Sequence, residues 1–219
     1  MKKIITLVLI LFTTINTHAQ LANTKWKGTL KIEEDVPAFF DFGSDTLKIT
    51  RFANNAPIEN MIYSITDSTL TLKKTDGQSD CDNDVIGKYK FWINDDKLSL
   101  KLIADACEDR SSVLDNTTYA KFAWPAEVKE DETILKQYPG DYAMDEQHKI
   151  TISLEKNGKL MADSKTNLAA KTTLYALSET KFSFHIGGIT LEFIKEADEK
   201  VSKFVVHQDG KDYDWEKIK

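Results

Sequence analysis

The chain has 219 residues, which is enough for one large domain or for two domains of about 100 residues each. Hydrophobic residues make up 41% of it and charged residues 29%, a composition that excludes intrinsically disordered and low-complexity proteins. The formal net charge of −6 argues against broad binding to nucleic acid or to anionic membranes.

The N-terminus has the three-part pattern of a secretory signal peptide. Lys2 and Lys3 precede an unbroken apolar run, Ile4–Phe12, which is too short to span a bilayer as a helix. We predict cleavage after Ala19, with residues 1–19 as the signal peptide. The mature chain is therefore expected in the periplasm or the extracellular medium, without an integral membrane segment.

The chain contains two cysteines, Cys81 and Cys107. In an oxidising compartment, an isolated pair of this kind predicts one disulfide. A structural zinc site would need further thiolate or imidazole ligands, and none lies nearby in the sequence. Neither a metal ion nor another cofactor is expected.

Alternating apolar and polar residues recur along the first half, separated by clusters of Asn, Asp, Gly and Ser, as in all-β proteins. The clearest strand is Lys97–Ile103, where Leu98 and Leu100 share one face, and the Asn94-Asp95-Asp96 turn precedes it. The strands predicted in this half are Lys25–Ile32, Ala38–Phe42, Thr46–Arg51, Met61–Ile65, Thr69–Lys73, Gly87–Ile93, Lys97–Ile103 and Thr118–Phe122.

The alternation stops at 123–133, where Pro125 and a run of acids predict a linker, and one short helical turn is expected within Asp131–Gln137. Strong hairpin signals follow at Asn157-Gly158, Gly187-Gly188 and Asp209-Gly210. The strands predicted in this half are Gly140–Met144, Lys149–Lys156, Lys159–Asp163, Lys171–Ala176, Lys181–Ile186, Ile189–Lys195, Val201–Gln208 and Asp212–Ile218.

Each half therefore offers about eight short strands, a number that suits a small closed antiparallel barrel without exposed edges. The predicted fold is all-β, with one barrel at 20–122 and a second at 134–219 in tandem. A β-sandwich is the alternative.

The first half carries Trp26-Lys27-Gly28, Gly87-Lys88-Tyr89-Lys90-Phe91 and Cys107-Glu108-Asp109-Arg110. In these segments it resembles a secreted bacterial lipocalin-like barrel of the calycin type. The resemblance implies that Trp26 packs beneath a basic side chain near one end of the barrel, with Arg110 as the candidate base.

The second half carries Leu135–Tyr142, Asn157–Leu160 and Val205–Gly210 in a familiar order. It resembles the lipocalin-like domain found C-terminal to bacterial serine peptidases of the β-lactamase-like group. Because that domain is an accessory, the resemblance implies a binding or packing role, such as docking onto a separate envelope hydrolase.

Catalytic patterns are weak. Ser178 and Lys181 match the S-x-x-K pattern of β-lactamase-like enzymes, but they fall at a turn instead of a helix start and lack the companion motifs. His148, His185 and His207 have no partners at metal-binding spacing. We therefore expect no enzyme, and a hydrolase using Ser178 and Lys181 is a third, weaker hypothesis.

Asp80, Asp82 and Asp84 alternate like the opening of a calcium loop. Val85 and Phe91 stand where an EF-hand requires Gly and Glu, so an EF-hand is excluded. A solvated acidic turn is the simpler interpretation of the three carboxylates, and weak calcium binding is the alternative.

The first half is rich in aromatic residues, and an eight-stranded barrel can either fill with side chains or hold one small ligand. Core packing explains most of these rings. Because adjacent strand residues point to opposite faces, one ring of the Phe39-Phe40 pair is expected outside the barrel or at its mouth. The candidate ligand-binding residues are Trp26, Phe40, Tyr89, Phe91 and Arg110.

The sequence thus predicts a non-catalytic binding protein that takes a small apolar ligand or a partner surface at one barrel mouth. The alternative from another class is an assembly protein that docks onto an envelope hydrolase. Nucleic acid is not an expected partner.

Overall fold

The computed structural model describes residues 21–164 and 171–219. The predicted signal peptide lies outside these residues. The described chain forms sixteen β-strands, together with the short helices α1 (Glu108–Leu114) and α2 (Glu132–Leu135).

The first eight strands form a closed antiparallel barrel in which each strand neighbours the next along the chain. Helix α1 lies between the last two of these strands. The strands are β1 (Thr24–Lys31), β2 (Asp35–Phe42), β3 (Thr46–Arg51), β4 (Pro57–Thr66), β5 (Thr69–Gly77), β6 (Ile86–Asn94), β7 (Lys97–Ala104) and β8 (Thr117–Lys121).

The other eight strands form a second closed antiparallel barrel, in which β9 pairs with both β10 and β16. The strands are β9 (Gly140–Ala143), β10 (Lys149–Leu154), β11 (Leu160–Ser164), β12 (Thr172–Ala176), β13 (Lys181–Ser183), β14 (Thr190–Lys195), β15 (Val201–Gln208) and β16 (Lys211–Lys217). The prediction of two tandem barrels is confirmed, and the sandwich alternative is wrong because both sheets close.

The turns follow the chemistry that the sequence indicated. Asp209 and Gly210 both have positive φ, 50° and 73°, and join β15 to β16 by the tight hairpin that Asp-Gly favours. Asp95 has φ 52° in the predicted turn between β6 and β7. These positive φ values match the right-handed twist of the flanking strands.

The prediction for β13 was too long, since the strand ends at Ser183 instead of continuing to Ile186. His185 has φ 53°, which takes the chain out of the extended conformation before the two glycines are reached. The amide of Phe184 still donates to the carbonyl of Ile189, at 3.1 Å, so a longer loop closes the hairpin.

The chain divides into two compact units whose limits differ from those of the barrels. One unit contains Phe40–Lys48, Glu59–Lys121 and the described residues up to Trp26. The other contains Lys27–Phe39, Ile49–Ile58 and the described residues from Phe122 to Lys219.

The acidic segment predicted as a linker is attached to the second barrel. The amide of Val128 donates to the carbonyl of Ala176 at 2.9 Å, and Glu127 pairs with Lys159 at 2.5 Å. The predicted helical turn is confirmed as α2, whose N-cap Asp131 accepts a hydrogen bond from the amide of Thr133 at 2.7 Å.

Phe39 and Phe40 on β2 are both buried, so neither ring is left exposed on the protein surface. Phe40 packs against Tyr119, with ring centroids 4.0 Å apart. Phe39 meets a different set of rings, those of Phe52, Phe122 and Trp124. The two rings do lie on opposite faces of β2, but aromatic neighbours cover each of them.

In the part of the chain that the structure describes, no helix is both long enough and apolar enough to cross a membrane.

Candidate binding site

The five residues predicted to contact a ligand are all buried, four on strands of the first barrel and Arg110 on α1. Trp26, Phe40, Tyr89, Phe91 and Arg110 are each no more than 4% exposed. Their side chains are therefore part of the packed core, which is the alternative that the sequence left open. A ligand-binding role for them stays a prediction.

Arg110 lies on α1, where it and Leu114 form the buried side of the helix. Its guanidinium makes a bidentate ion pair with Asp105, with Nε–Oδ2 at 2.6 Å and Nη2–Oδ1 at 2.8 Å. The same carboxylate accepts hydrogen bonds from the Tyr89 hydroxyl at 2.6 Å and the Cys107 amide at 2.9 Å. Asp105 is therefore the centre of a buried polar network.

The electrostatics of this network keep the pair charged. Burial alone would raise the pKa of Asp105, but the hydrogen bonds from Arg110, Tyr89 and Cys107 outweigh it and hold the pKa below its ordinary value. Burial also raises the pKa of the Tyr89 hydroxyl, and the hydrogen bond to Asp105 raises it further. Tyr89 thus remains a neutral donor to an ionised carboxylate.

Trp26, which the resemblance places beneath a basic side chain, donates its Nε1 proton to Thr24 Oγ1 at 2.8 Å. The guanidinium of Arg110 donates instead to Asp105 and, at 3.2 Å, to the carbonyl of Val85. The hydrogen bonds that fix Arg110 therefore come from the residue just before β6 and the residue just after β7.

Gly87, at the start of β6, makes room for this network. A Cβ at this position would lie 2.3 Å from Asp105 Oδ2 and 3.0 Å from Arg110 Nε. We expect Gly87→Ala to lower the free energy of unfolding by about 1–3 kcal/mol, because the buried pair must shift to accept the methyl group. Urea denaturation measures the effect, and Lys88→Ala on the exposed side of the same strand is the control, expected to change stability by less than about 0.5 kcal/mol.

The predicted disulfide is confirmed. Cys81 and Cys107 are bonded, with their Cα atoms 5.4 Å apart, and both are buried. Cys107 is the residue immediately before α1, so the bond ties the helix carrying Arg110 to the loop before β6.

An apolar cavity lies at one end of the second barrel, beside the β9–β10, β13–β14 and β15–β16 connections. Ala53, Asn54 and Ala56, from the connection between β3 and β4, also line it. Its volume is about 630 Å³, within the range of 300–1,000 Å³ that is typical of small-molecule sites. The apolar side chains that line it include Met144, Ile150, Ala162, Phe184, Ile186, Ile189, Val206 and Trp215.

Small residues on two neighbouring strands leave space for this cavity. Ala162 on β11 pairs with Thr172 on β12, and Ser164 on β11 pairs with Ile150 on β10. Ala162, Ser164 and Thr172 all line the cavity, where larger inward side chains would have filled it. Deeper in the barrel, Tyr142, Phe193 and Phe204 close the interior.

The charge of the lining limits what can enter. Of the described residues around this cavity, none is Lys, Arg, Asp or Glu. The polar groups at the lining include Ser164, Thr172, Gln208 and His148. The ring of His148 faces Asp145, with Nδ1 2.8 Å from the carboxylate, and this hydrogen bond is the main cause that lowers the pKa of Asp145.

The opposite end of the second barrel has different chemistry. A cavity of about 520 Å³ there is lined by the segment Glu127–Glu132 and by the turn residues Asn157 and Gly158. Acidic side chains and Lys159 share its walls with Leu160 and Phe182. Charged walls of this kind favour water over an apolar ligand.

His185 and His207 are both engaged with neighbouring side chains. The ring of His185 is stacked between those of Tyr175 and Trp124, at centroid distances of 3.7 and 4.6 Å. His207 Nδ1 lies 2.7 Å from Asp212 Oδ1 across the β15–β16 pair.

The S-x-x-K pair is part of a turn between β12 and β13. The Ser178 hydroxyl accepts a hydrogen bond from the backbone amide of Lys181 at 3.2 Å. As predicted from the sequence, the pair does not start a helix, which is the context in which this motif activates a serine.

Within residues 21–164 and 171–219, no three His, Cys, Asp or Glu side chains come together as a metal site would require, and this includes the Asp80, Asp82 and Asp84 loop. The amide of Asp80 instead donates to the Asp109 carboxylate at 2.9 Å.

The sequence predicted the binding residues in the aromatic-rich first half, whereas most of the cavity lining comes from the second half. The sequence signal for the cavity is the pair of small inward-facing residues Ala162 and Ser164, which alternate with larger neighbours on β11. No protein-family model matches the chain, and no curated protein matches its sequence significantly.

Proposed function

We propose that this protein is a non-catalytic binding protein that takes one small, uncharged, apolar molecule in the cavity at one end of its second barrel. The single observation that carries the proposal is the cavity of about 630 Å³ with an apolar lining that has no charged residue among those described. Small eight-stranded barrels with unfilled ends hold single small ligands in this way. The lipocalin-like relationship inferred from the sequence is in keeping with such a role.

The lining also indicates the polarity of the ligand. Burying the apolar walls against a hydrocarbon or aromatic group is favourable at about 25 cal/mol per Å² of apolar surface. A charged ligand group would lose its hydration without gaining an ion-pair partner from the described walls. Ser164, Thr172 and Gln208 can instead hydrogen-bond a hydroxyl, carbonyl or ether oxygen.

A series of ligands that share a ten-carbon chain and differ in the charge of the headgroup tests this preference. Isothermal titration should show binding of 1-decanol, with decanoate and decyltrimethylammonium weaker by roughly ten-fold or more because their charges stay unpaired. Tight binding of either ion would contradict the proposed ligand class. Absence of binding by all three would contradict the proposed site.

Val206→Trp is expected to block the cavity, because Val206 lines it from β15. Val205→Trp is the matched control. Val205 is the next residue on the same strand and points to the opposite face, where it pairs in register with Glu192 and Asp214. We expect the first substitution to abolish decanol binding in titration and the second to leave it unchanged, with both proteins keeping the far-ultraviolet circular dichroism of the barrel. Equal binding by the two variants would place the ligand elsewhere.

The docking role that the resemblance implies for the second half is a separate proposal. It predicts that the protein co-purifies with an envelope hydrolase from its own host, and isolation of the protein without such a partner would count against it.

A further inference from the structure

Part of the outer wall of the first barrel is positively charged, although the whole chain is acidic. The strand segments Ile62–Thr66, Thr69–Lys73, Ile86–Asn94 and Lys97–Lys101 contain no Asp or Glu. Their outward side chains include five exposed lysines and one exposed tryptophan, which we call the lysine face: Lys73, Lys88, Lys90, Lys97, Lys101 and Trp92.

Strand register brings these side chains together. Lys90 on β6 lies directly opposite Lys101 on β7, and Lys88 and Trp92 flank Lys90 on the same face of β6. None of the five lysines forms an ion pair with another described residue. Acidic residues appear only beyond these segments, as at Asp76 and Asp95. The positive charge of the face is therefore not neutralised by its neighbours.

Apolar side chains of unusual exposure accompany the lysines. Trp92 is 45% exposed, and Ile62 and Ile86 are 44% and 50% exposed. Ile62 and Ile86 flank Lys73 in one row across β4, β5 and β6. Lysine, tryptophan and isoleucine on one surface are the combination found where a protein rests on the headgroup region of a bilayer.

We propose that the lysine face binds the surface of an anionic lipid bilayer. The lysines pair with the negative headgroups, and Trp92 with the two isoleucines enters the interfacial layer. A soluble polyanion would use the lysines but would give the exposed isoleucines no apolar surroundings. The net charge of −6 does not oppose this contact at close range, because salt screens charges beyond about 8 Å at physiological ionic strength.

Vesicle co-sedimentation tests the proposal directly. The protein purified from its own host is expected to sediment with vesicles of phosphatidylcholine and phosphatidylglycerol, and to remain in solution with vesicles of phosphatidylcholine alone. Binding should weaken as salt is raised, and the fluorescence of the protein should shift to shorter wavelength in the wild type but not in Trp92→Ser.

Lys88→Gln with Lys90→Gln removes two charges from the face. The partition coefficient onto anionic vesicles is expected to fall roughly thirty-fold, since each lysine near such a surface contributes about 1 kcal/mol. Lys156→Gln with Lys211→Gln is the matched control, because it removes the same charge from exposed positions of the second barrel. The control should bind like the wild type.

Three results would each overturn the proposal. One is equal binding to neutral and anionic vesicles, or to neither. Another is an equal loss of binding in the two double variants, which would reflect net charge instead of the lysine face. The third is binding to soluble heparin without binding to vesicles, which would assign the face to a soluble polyanion.

Discussion

Replacing Asp105 by Asn is expected to lower the free energy of unfolding by about 3–5 kcal/mol at neutral pH. The side chains of Asp105 and Arg110 are 0% and 3% exposed, so the substitution leaves a buried guanidinium without its counter-ion. Asn keeps an oxygen that can accept from Tyr89 or Cys107, and the loss therefore reports mainly on the charge. Urea denaturation followed by fluorescence measures it.

The double variant Asp105→Asn with Arg110→Met separates the ion pair from the rest of the network. Because both charges are removed, no buried charge is left without a partner. This protein should therefore be more stable than the Asp105→Asn single variant. A single variant within about 1 kcal/mol of the wild type would contradict a buried, stabilising pair. A double variant no more stable than the single variant would show that the charge is not the cause.

The Asp105–Arg110 pair also determines part of the loss of folding stability in acid. Because the pKa of Asp105 in the folded protein lies below its ordinary value of 3.8, its contribution is fully present above that value and is lost as the pH falls through the folded pKa. The stability difference between the wild type and Asp105→Asn should therefore be constant above about pH 4 and shrink in stronger acid. Denaturation curves across this range check the direction.

Loss of the Cys81–Cys107 disulfide is expected to lower the free energy of unfolding by about 2–4 kcal/mol. The bond closes a loop with a sequence separation of 26, which restricts the unfolded chain, and it also anchors the start of α1 next to Arg110. Cys81→Ala with Cys107→Ala should unfold at lower urea concentration than the wild type while keeping the β-sheet circular dichroism signal.

Reductant provides the control for this prediction. Dithiothreitol should destabilise the wild type to about the level of the double alanine variant and should leave that variant unchanged. If the fully reduced wild type, verified by its mass, unfolds at the same urea concentration as the oxidised protein, the stabilising role of the bond is contradicted.

The strands could be predicted because the alternation of apolar and polar residues involves only neighbouring positions in the sequence. On β7, Leu98 and Leu100 are buried while Lys97 and Lys101 are exposed, as a period of two residues requires. Helix α1 was not predicted, since seven residues give too few turns for helical periodicity to stand out. Its two buried residues, Arg110 and Leu114, are four positions apart, but only Leu114 is apolar.

The location of the cavity was not predictable in the same way. Alternation shows which residues face inward, but whether they fill a barrel depends on the volumes contributed by strands distant in the sequence. The aromatic content predicted a binding site in the first barrel, but Trp26, Phe40 and Tyr89 are packed in the core there. Space instead occurs where Ala162 and Thr172 face each other across β11 and β12.

Native mass spectrometry of the full-length protein, purified gently from its own host, is the most direct test of ligand binding in the second barrel. We predict a bound mass that is released on denaturation, partitions into organic solvent as an uncharged compound, and is missing from Val206→Trp but retained by Val205→Trp. A wild-type protein that carries no additional mass, and takes none up after incubation with 1-decanol, would contradict the proposed function.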